Sequence, residues 1–233
     1  PKIMHPTFLI EIPSTKNKVT FRPFLVKEEK LLLMAKASDQ ETDMFMAIKQ
    51  VVNNCAVDTD FDVNKLTLFD LEYCFIKLRA SSVSDIVEVT YKDYEDEKDY
   101  TFRIDLNKVV VVFPSGIDTT VKISKDSGLT LKYPKAALYE DKDFINSGPD
   151  AMYEMTVRCI DKIYEGEDMF DTAAYSIDEL KEYVEALDLK TFEKIKKFVL
   201  DQPTVFYEIS YKNSLGHDRK IELKTLTDFF TLR

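Results

Sequence analysis

Residues 65–91, KLTLFDLEYCFIKLRASSVSDIVEVTY, constrain this chain more than any other stretch, because they write a helix, a break and a strand with clear boundaries. Thr67 precedes Asp70 by three residues, the spacing at which each side chain reaches an orphan N–H of a helix's first turn. Leu66 and Leu71 are placed to close over that turn as a hydrophobic staple. Leu68, Leu71, Cys74, Phe75 and Leu78 share a broad face of the wheel, while Phe69 and Ile76 point elsewhere. A helix apolar on more than one face is buried between layers, so this is the expected central helix of the fold.

The rest of the chain is arranged around it. Phe8, Ile10 and Ile12 alternate with polar neighbours, PSTKNK turns the chain, and Val19 and Phe21 resume the alternation, which is a hairpin signal. A helix over 26–37 follows Pro23, with acids in its first turn where the helix dipole favours them. Met44, Ile48, Val51, Val52 and Cys55 mark one face of a second helix. From 86 to 133 the period switches to two: Val87, Val89, Tyr91, then Phe102, Ile104, Leu106, then VVVVF at 109–113 as a buried strand, then Val121 with Ile123 and Leu129 with Leu131. Beyond Pro134, Met152, Met155, Cys159 and Ile163 read as a helical stripe. Ser176 with Glu179 is a further capping box, stapled by Tyr175 and Leu180. Leu180, Tyr183, Val184 and Leu187 make a helical face, and a helix over 189–200 ends before Pro203.

The predicted class is α+β, with helical N-terminal and C-terminal lobes around a mainly antiparallel β region. The expected division is 1–83, 84–134 and 135–233, the last a helical lobe closed by a C-terminal hairpin. VEVTYKD (87–93) echoes YEISYKN (207–213), so a helix-plus-hairpin unit occurs twice either by duplication or by convergence on good hairpin sequence.

A net charge of -10 argues against nucleic acid or an anionic membrane as the main partner, since both are polyanions. The basic helix carrying Lys190, Lys194, Lys196 and Lys197 is diluted by Glu193 and Asp201 and reads as a solvated face. Cys55, Cys74 and Cys159 are isolated in apolar contexts, which suits reduced, buried thiols and offers no metal-ligand spacing. The opening PKIMHPTF lacks signal architecture and no apolar run approaches a membrane span, so synthesis and work in a cytoplasm are expected.

Chemical motifs are few. Asp58, Asp60, Asp62 and Asn64 mimic the start of a calcium loop, but both registers lack its Gly and its bidentate Glu: Val63 and Phe69 occupy those positions in one, Lys65 and Leu71 in the other. His5 and His217 lie in a tail and a turn, and Cys159 has no histidine near it in sequence. Five glycines, none in a phosphate-cradling order, leave little for nucleotide chemistry. No catalytic residue, metal site or cofactor is expected. The terminal TDFFTLR concentrates Phe229, Phe230 and Leu232 as a candidate partner contact, against the alternative of an end docked on the chain's own core.

Several long, mixed motifs carry a family resemblance: IPSTKNKVTFRPFLVKEEKLLLMA, LTLFDLEYCFIKLRASSVSDIVEVTYKD, IDKIYEGEDMFDT followed by SIDELKEYVEAL, and YEISYKNSLG with TLTDFF. They resemble the baseplate hub subunit family of T-even-type contractile-tailed phages over nearly the whole chain. Leu25 stands where related sequences carry Thr, which forfeits a capping box with Glu28 of about 1 kcal/mol. The resemblance implies a non-enzymatic role in building the tail baseplate hub through contacts with other hub and tail proteins, with self-association as a further contact. It places the protein in the host cytoplasm during assembly and in the tail baseplate of the particle. The alternatives are an assembly chaperone absent from the particle and, from another class, an enzyme built on scattered carboxylates.

Overall fold

The computed structural model describes residues 1–38 and 40–230, with Glu41 described by its backbone alone. They fall into two compact units. Unit 1 comprises Pro1–Val112 and Thr204–Arg233, and unit 2 comprises Phe113–Pro203.

Unit 1 opens with the antiparallel hairpin β1 (Phe8–Glu11) and β2 (Lys18–Phe21), paired from Phe8 opposite Phe21 to Glu11 opposite Lys18. Helices α1 (Val26–Ser38), α2 (Glu41–Cys55) and α3 (Leu68–Ser82) follow. Then come hairpin β3 (Ile86–Lys92) and β4 (Asp99–Asp105), and strand β5 (Val110–Val112). In α2, Met44, Ile48, Val51, Val52 and Cys55 are all buried, as their spacing predicts. The central helix α3 buries Phe69, Leu71, Cys74, Phe75, Ile76 and Leu78, more than half its circumference.

The start of α3 ties the first hairpin to the helical layer. Thr67 accepts from the Asp70 N–H, and Asp70 Oδ2 accepts from the Thr67 N–H, at 3.1 Å each. The same buried carboxylate also accepts the Ser14 N–H at 2.9 Å and the Ser14 hydroxyl at 2.5 Å. Thr67→Ala removes one half of this box and should cost about 1 kcal/mol in urea unfolding. A cost near zero would mean that Asp70 holds the helix start unaided.

Unit 2 begins with β6 (Thr120–Lys122) and β7 (Ser127–Leu131), followed by the one-turn α4 (Lys142–Ile145) and α5 (Ala151–Arg158). Strands β8 (Ile160–Glu165) and β9 (Asp168–Asp171) and helices α6 (Ile177–Glu185) and α7 (Leu189–Leu200) complete it. The strands form one antiparallel sheet in the order β6-β7-β8-β9. Its core packs Leu129, Ile160, Val157 and Cys159 with Leu180, Val184, Ile195 and Phe198. The chain then returns to unit 1 as β10 (Thr204–Lys212), β11 (Asp218–Leu223) and the one-turn α8 (Leu226–Phe229).

The class is α+β with small antiparallel sheets, while the grouping of strands differs from the expected one. The strands of 84–134 do not share a sheet. β3 and β4 pair only with each other, β5 joins β10 and β11, and β6 and β7 join β8 and β9. Unit 2 is thus an insertion between β5 and β10, which pair directly from Val112 opposite Thr204 to Val110 opposite Phe206. This division differs from boundaries at 83/84 and 134/135, because strand pairing joins segments about ninety residues apart. β5 itself is an edge strand, with Val110 and Val112 exposed and Val109 buried, so VVVVF is not a buried strand. Cys159 and Ile163 do not continue a helical stripe: α5 ends at Arg158 and Ile163 lies in β8.

The sequence echo has a structural counterpart. The hairpins β3–β4 and β10–β11 turn on Asp93 and Asn213. Asp93 Oδ1 accepts the N–H groups of Glu95 and Asp96, and Asn213 Oδ1 those of Leu215 and His217. The two turns also meet each other. The Tyr211 hydroxyl donates to Asp93 at 2.6 Å, Asn213 Nδ2 to Glu95 at 2.8 Å, and the Ser214 N–H to Asp96 at 2.9 Å.

Candidate functional site

Most candidates for chemistry are committed to structure, while Asp60 is exposed. Asp58 accepts the Thr20 N–H at 2.8 Å and Asp62 caps the 3-10 turn Val63–Lys65. Among the described residues no group of three metal-capable side chains is assembled. All three thiols are buried. Burial pushes those of Cys55 and Cys159 up to about 12 and that of Cys74 higher still. A nucleophilic cysteine needs its thiolate near neutral pH, and these environments oppose it. His5 is exposed in the N-terminal segment, and His217 contacts Glu95 across the two hairpin turns.

Asp58, Asp60, Asp62 and Asp70 line one open groove, of about 570 Å³, beside the first hairpin, and acids also converge at the turn of β3–β4. Asp93 is held below the usual carboxylate range first by the Tyr211 hydroxyl and Glu95 first by the Asn213 amide. At Asp96 burial pushes upward, but bonds from the Tyr100 hydroxyl and from the N–H groups of Ser214 and Lys98 outweigh it. Carboxylates so saturated with donors are poor proton acceptors. Glu72 on α3 is the opposite case, pushed up to about 7 by burial alone, with no neighbouring charge contributing. It is a solitary raised acid rather than one of a catalytic pair.

The surfaces are more informative. Helix α1 turns its polarity around: its one buried side chain is Glu28, while Leu33 and Met34 are 56% and 72% exposed and Val26 is exposed as well. Glu28 faces inward because Arg22 holds it at 2.5 Å and the Leu25 N–H donates to it at 3.0 Å. That second bond is the surviving half of the capping box for which Leu25 lacks the hydroxyl.

Leu33 also lines an open groove of about 450 Å³ with Phe24, Phe75, Arg79 and Phe230. Phe230 packs edge-on against Phe75 at 5.9 Å, and the Arg79 guanidinium lies over its ring at 5.6 Å. The capping box of Thr225 and Asp228 sets up α8, and the Tyr91 hydroxyl fixes it by donating to the Asp228 carbonyl at 2.9 Å.

The three terminal candidates therefore separate. Phe229 is 1% exposed and packs into unit 1, Phe230 is half-buried at the groove wall, and Leu232 lies outside the described residues. Sequence reasoning missed the exposed side of α1. Its signal is a helix with apolar residues on all sides and an acid at the position facing inward.

Among the described residues no helix is long and apolar enough to cross a membrane. Comparison with family models matches residues 5–231 to the family described as T4 bacteriophage base plate protein. No curated protein and no solved structure matches the chain.

Proposed function

Because the chain belongs to the T4 bacteriophage base plate protein family, we propose that it is a component of the baseplate hub acting through protein–protein contacts. A structural role in the baseplate comes with the family. The hub assignment goes further, and the long motifs around VTFRPF and LTLFDLEYCFIKLRASSV support it.

The observation that carries the contact role is the exposure of Val26, Leu33 and Met34 on the outer face of α1, between Lys27, Glu29, Lys30 and Lys36, with Leu33 also lining the Phe230 groove. Exposed apolar side chains clustered on a helix, next to an aromatic ring and an arginine, have the composition of an interface core. Other hub and tail proteins are the proposed partners, with self-association a further contact. Assembly in the host cytoplasm delivers the protein to the tail baseplate. No enzymatic role is proposed.

The test is Leu33→Glu with Met34→Glu, two substitutions at exposed positions. Co-purification with the other baseplate proteins should fall at least tenfold while the melting temperature stays unchanged. Undiminished co-purification would remove α1 from the contact.

A further inference from the structure

Unit 2 carries a second surface that the hub reading does not use. In hairpin β8–β9, Phe170 stands opposite Ile163 and Asp168 opposite Glu165, so these four side chains share one face of the sheet. An open groove of about 330 Å³ lies there. Of its lining residues Ile163 and Leu180 are buried, whereas Phe170 and Tyr175 are 37% and 43% exposed, and Tyr183 adds a third ring. The charged residues of the lining are Glu165 and Glu179, with no lysine or arginine among them. The capping box of α6 holds Glu179 in place, its Oε2 accepting the Ser176 N–H at 3.1 Å. Glu165 lies near Tyr183, whose hydroxyl is pushed up by burial and then by that charge.

Among the described residues none of the three rings meets another aromatic ring or a cation of this chain. Glu165, Asp168 and Glu179 have no ion-pair partner there either. An apolar occupant of the groove would strip water from carboxylates without replacing it, which is costly. An anionic one would be repelled. A cation meets both features on the same face, because ring faces and carboxylates each attract it.

We propose that this groove receives an arginine side chain of a partner protein, its guanidinium set against the aromatic rings and bonded to Glu165 or Glu179. Arginine suits the lining better than lysine, since its guanidinium is planar, weakly hydrated, stacks on rings and bonds carboxylates through a fork of donors. The volume lies at the small end of ligand sites, which run from about 300 to 1,000 Å³. An open groove of that size fits one side chain projecting from a partner's surface. Asp168, exposed on the same face, adds to the attraction. The occupant is thus fixed by charge complementarity within the groove, with no pairing to the β9 backbone required.

The test titrates the isotope-labelled full chain with the peptide GSGRGSG and reads amide and aromatic NMR shifts. Saturable shifts confined to residues around 163–183 should appear, with a Kd on the order of 1–10 mM. Phe170→Leu, which keeps an apolar side chain but removes the ring, should weaken binding by about tenfold. Glu165→Gln with Glu179→Gln should do likewise, since glutamine retains the capping bond while removing the charge. If Phe170→Leu lowers the melting temperature, Tyr175→Leu replaces it. Equal binding of the peptide with citrulline or lysine in place of arginine would overturn the proposal, as would the absence of saturable shifts. Tighter binding of ethylguanidinium than of the peptide would overturn it in favour of a small cation. Self-association of the chain, seen by sedimentation and abolished by Phe170→Leu, would overturn it in favour of a second copy.

Discussion

Arg22→Met should lower the stability of unit 1 by about 3–5 kcal/mol, the cost of leaving a buried carboxylate without its partner. Glu28 is fully buried, and its Oε1 is held by Arg22 and the Leu25 N–H, while Oε2 has no hydrogen-bond partner among the described residues. Arg22 also donates to the Pro23 carbonyl at 3.1 Å, so its side chain pins the link between β2 and α1 as well as neutralising Glu28. Pairs of this kind contribute little beyond an apolar pair of equal volume, but breaking one side is severe. Arg22→Met with Glu28→Met should therefore recover most of the loss. Urea unfolding of the two variants against wild type measures this. A loss under about 1 kcal/mol for Arg22→Met would show that Glu28 finds water or another partner.

Glu72→Gln should stabilise the protein at pH 8 by about 3 kcal/mol and leave it nearly unchanged at pH 4. Burial raises this carboxyl from 4.5 to about 7, which at 1.36 kcal/mol per unit gives that magnitude. The folded state holds the proton more tightly than the unfolded state. The associated stability is therefore full below pH 4.5, is lost as the pH rises toward 7, and stays lost above it. Glutamine carries no charge at any pH and removes the penalty. Asp93, Glu95 and Asp96 work in the other direction, because their lowered values stabilise the fold above the usual carboxylate range. For that reason the difference between variant and wild type across pH is the informative quantity. A gain independent of pH would mean that Glu72 is not the titrating group.

Local features of this fold were legible where the signal was local. Thr67 with Asp70 and Ser176 with Glu179 form capping boxes because the motif needs only residues three apart. α7 spans Leu189–Leu200 as read, since Asp188 caps its start and Pro203 follows its end. Hairpin β8–β9 was hidden. The register shifts between Thr130 and Leu131, so that Thr130 faces Lys162 and Leu131 faces Ile160. That irregularity lets Ile160 and Ile163 both be buried, and Cys159, buried four residues before Ile163, completes a spacing that imitates a helix. The turn residue Gly166, at a φ of 60°, was the signal that could have exposed it. The union of β5 with β10 was out of reach, because nothing local in VVVVF names a partner ninety residues on.

The candidate contact was legible only in part. TDFFTLR is apolar at the chain end, yet whether a phenylalanine faces inward depends on α8. One turn of helix sends Phe229 into the core and leaves Phe230 at the groove. The exposed face of α1 was not read at all, because the inward turn of Glu28 depends on Arg22 from the preceding strand. In both cases the side that faces outward was decided by tertiary structure and could not be read from composition.

Quantitative mass spectrometry of purified, infectious particles, searched for peptides of this chain, tests the central claim most directly. A built-in hub component should be present at a few stoichiometric copies per particle and should remain through stringent purification. Absence from particles with normal abundance in producing cells would contradict the hub assignment and leave a factor that acts and departs. Absence from particles and assembly intermediates alike would contradict a baseplate role altogether.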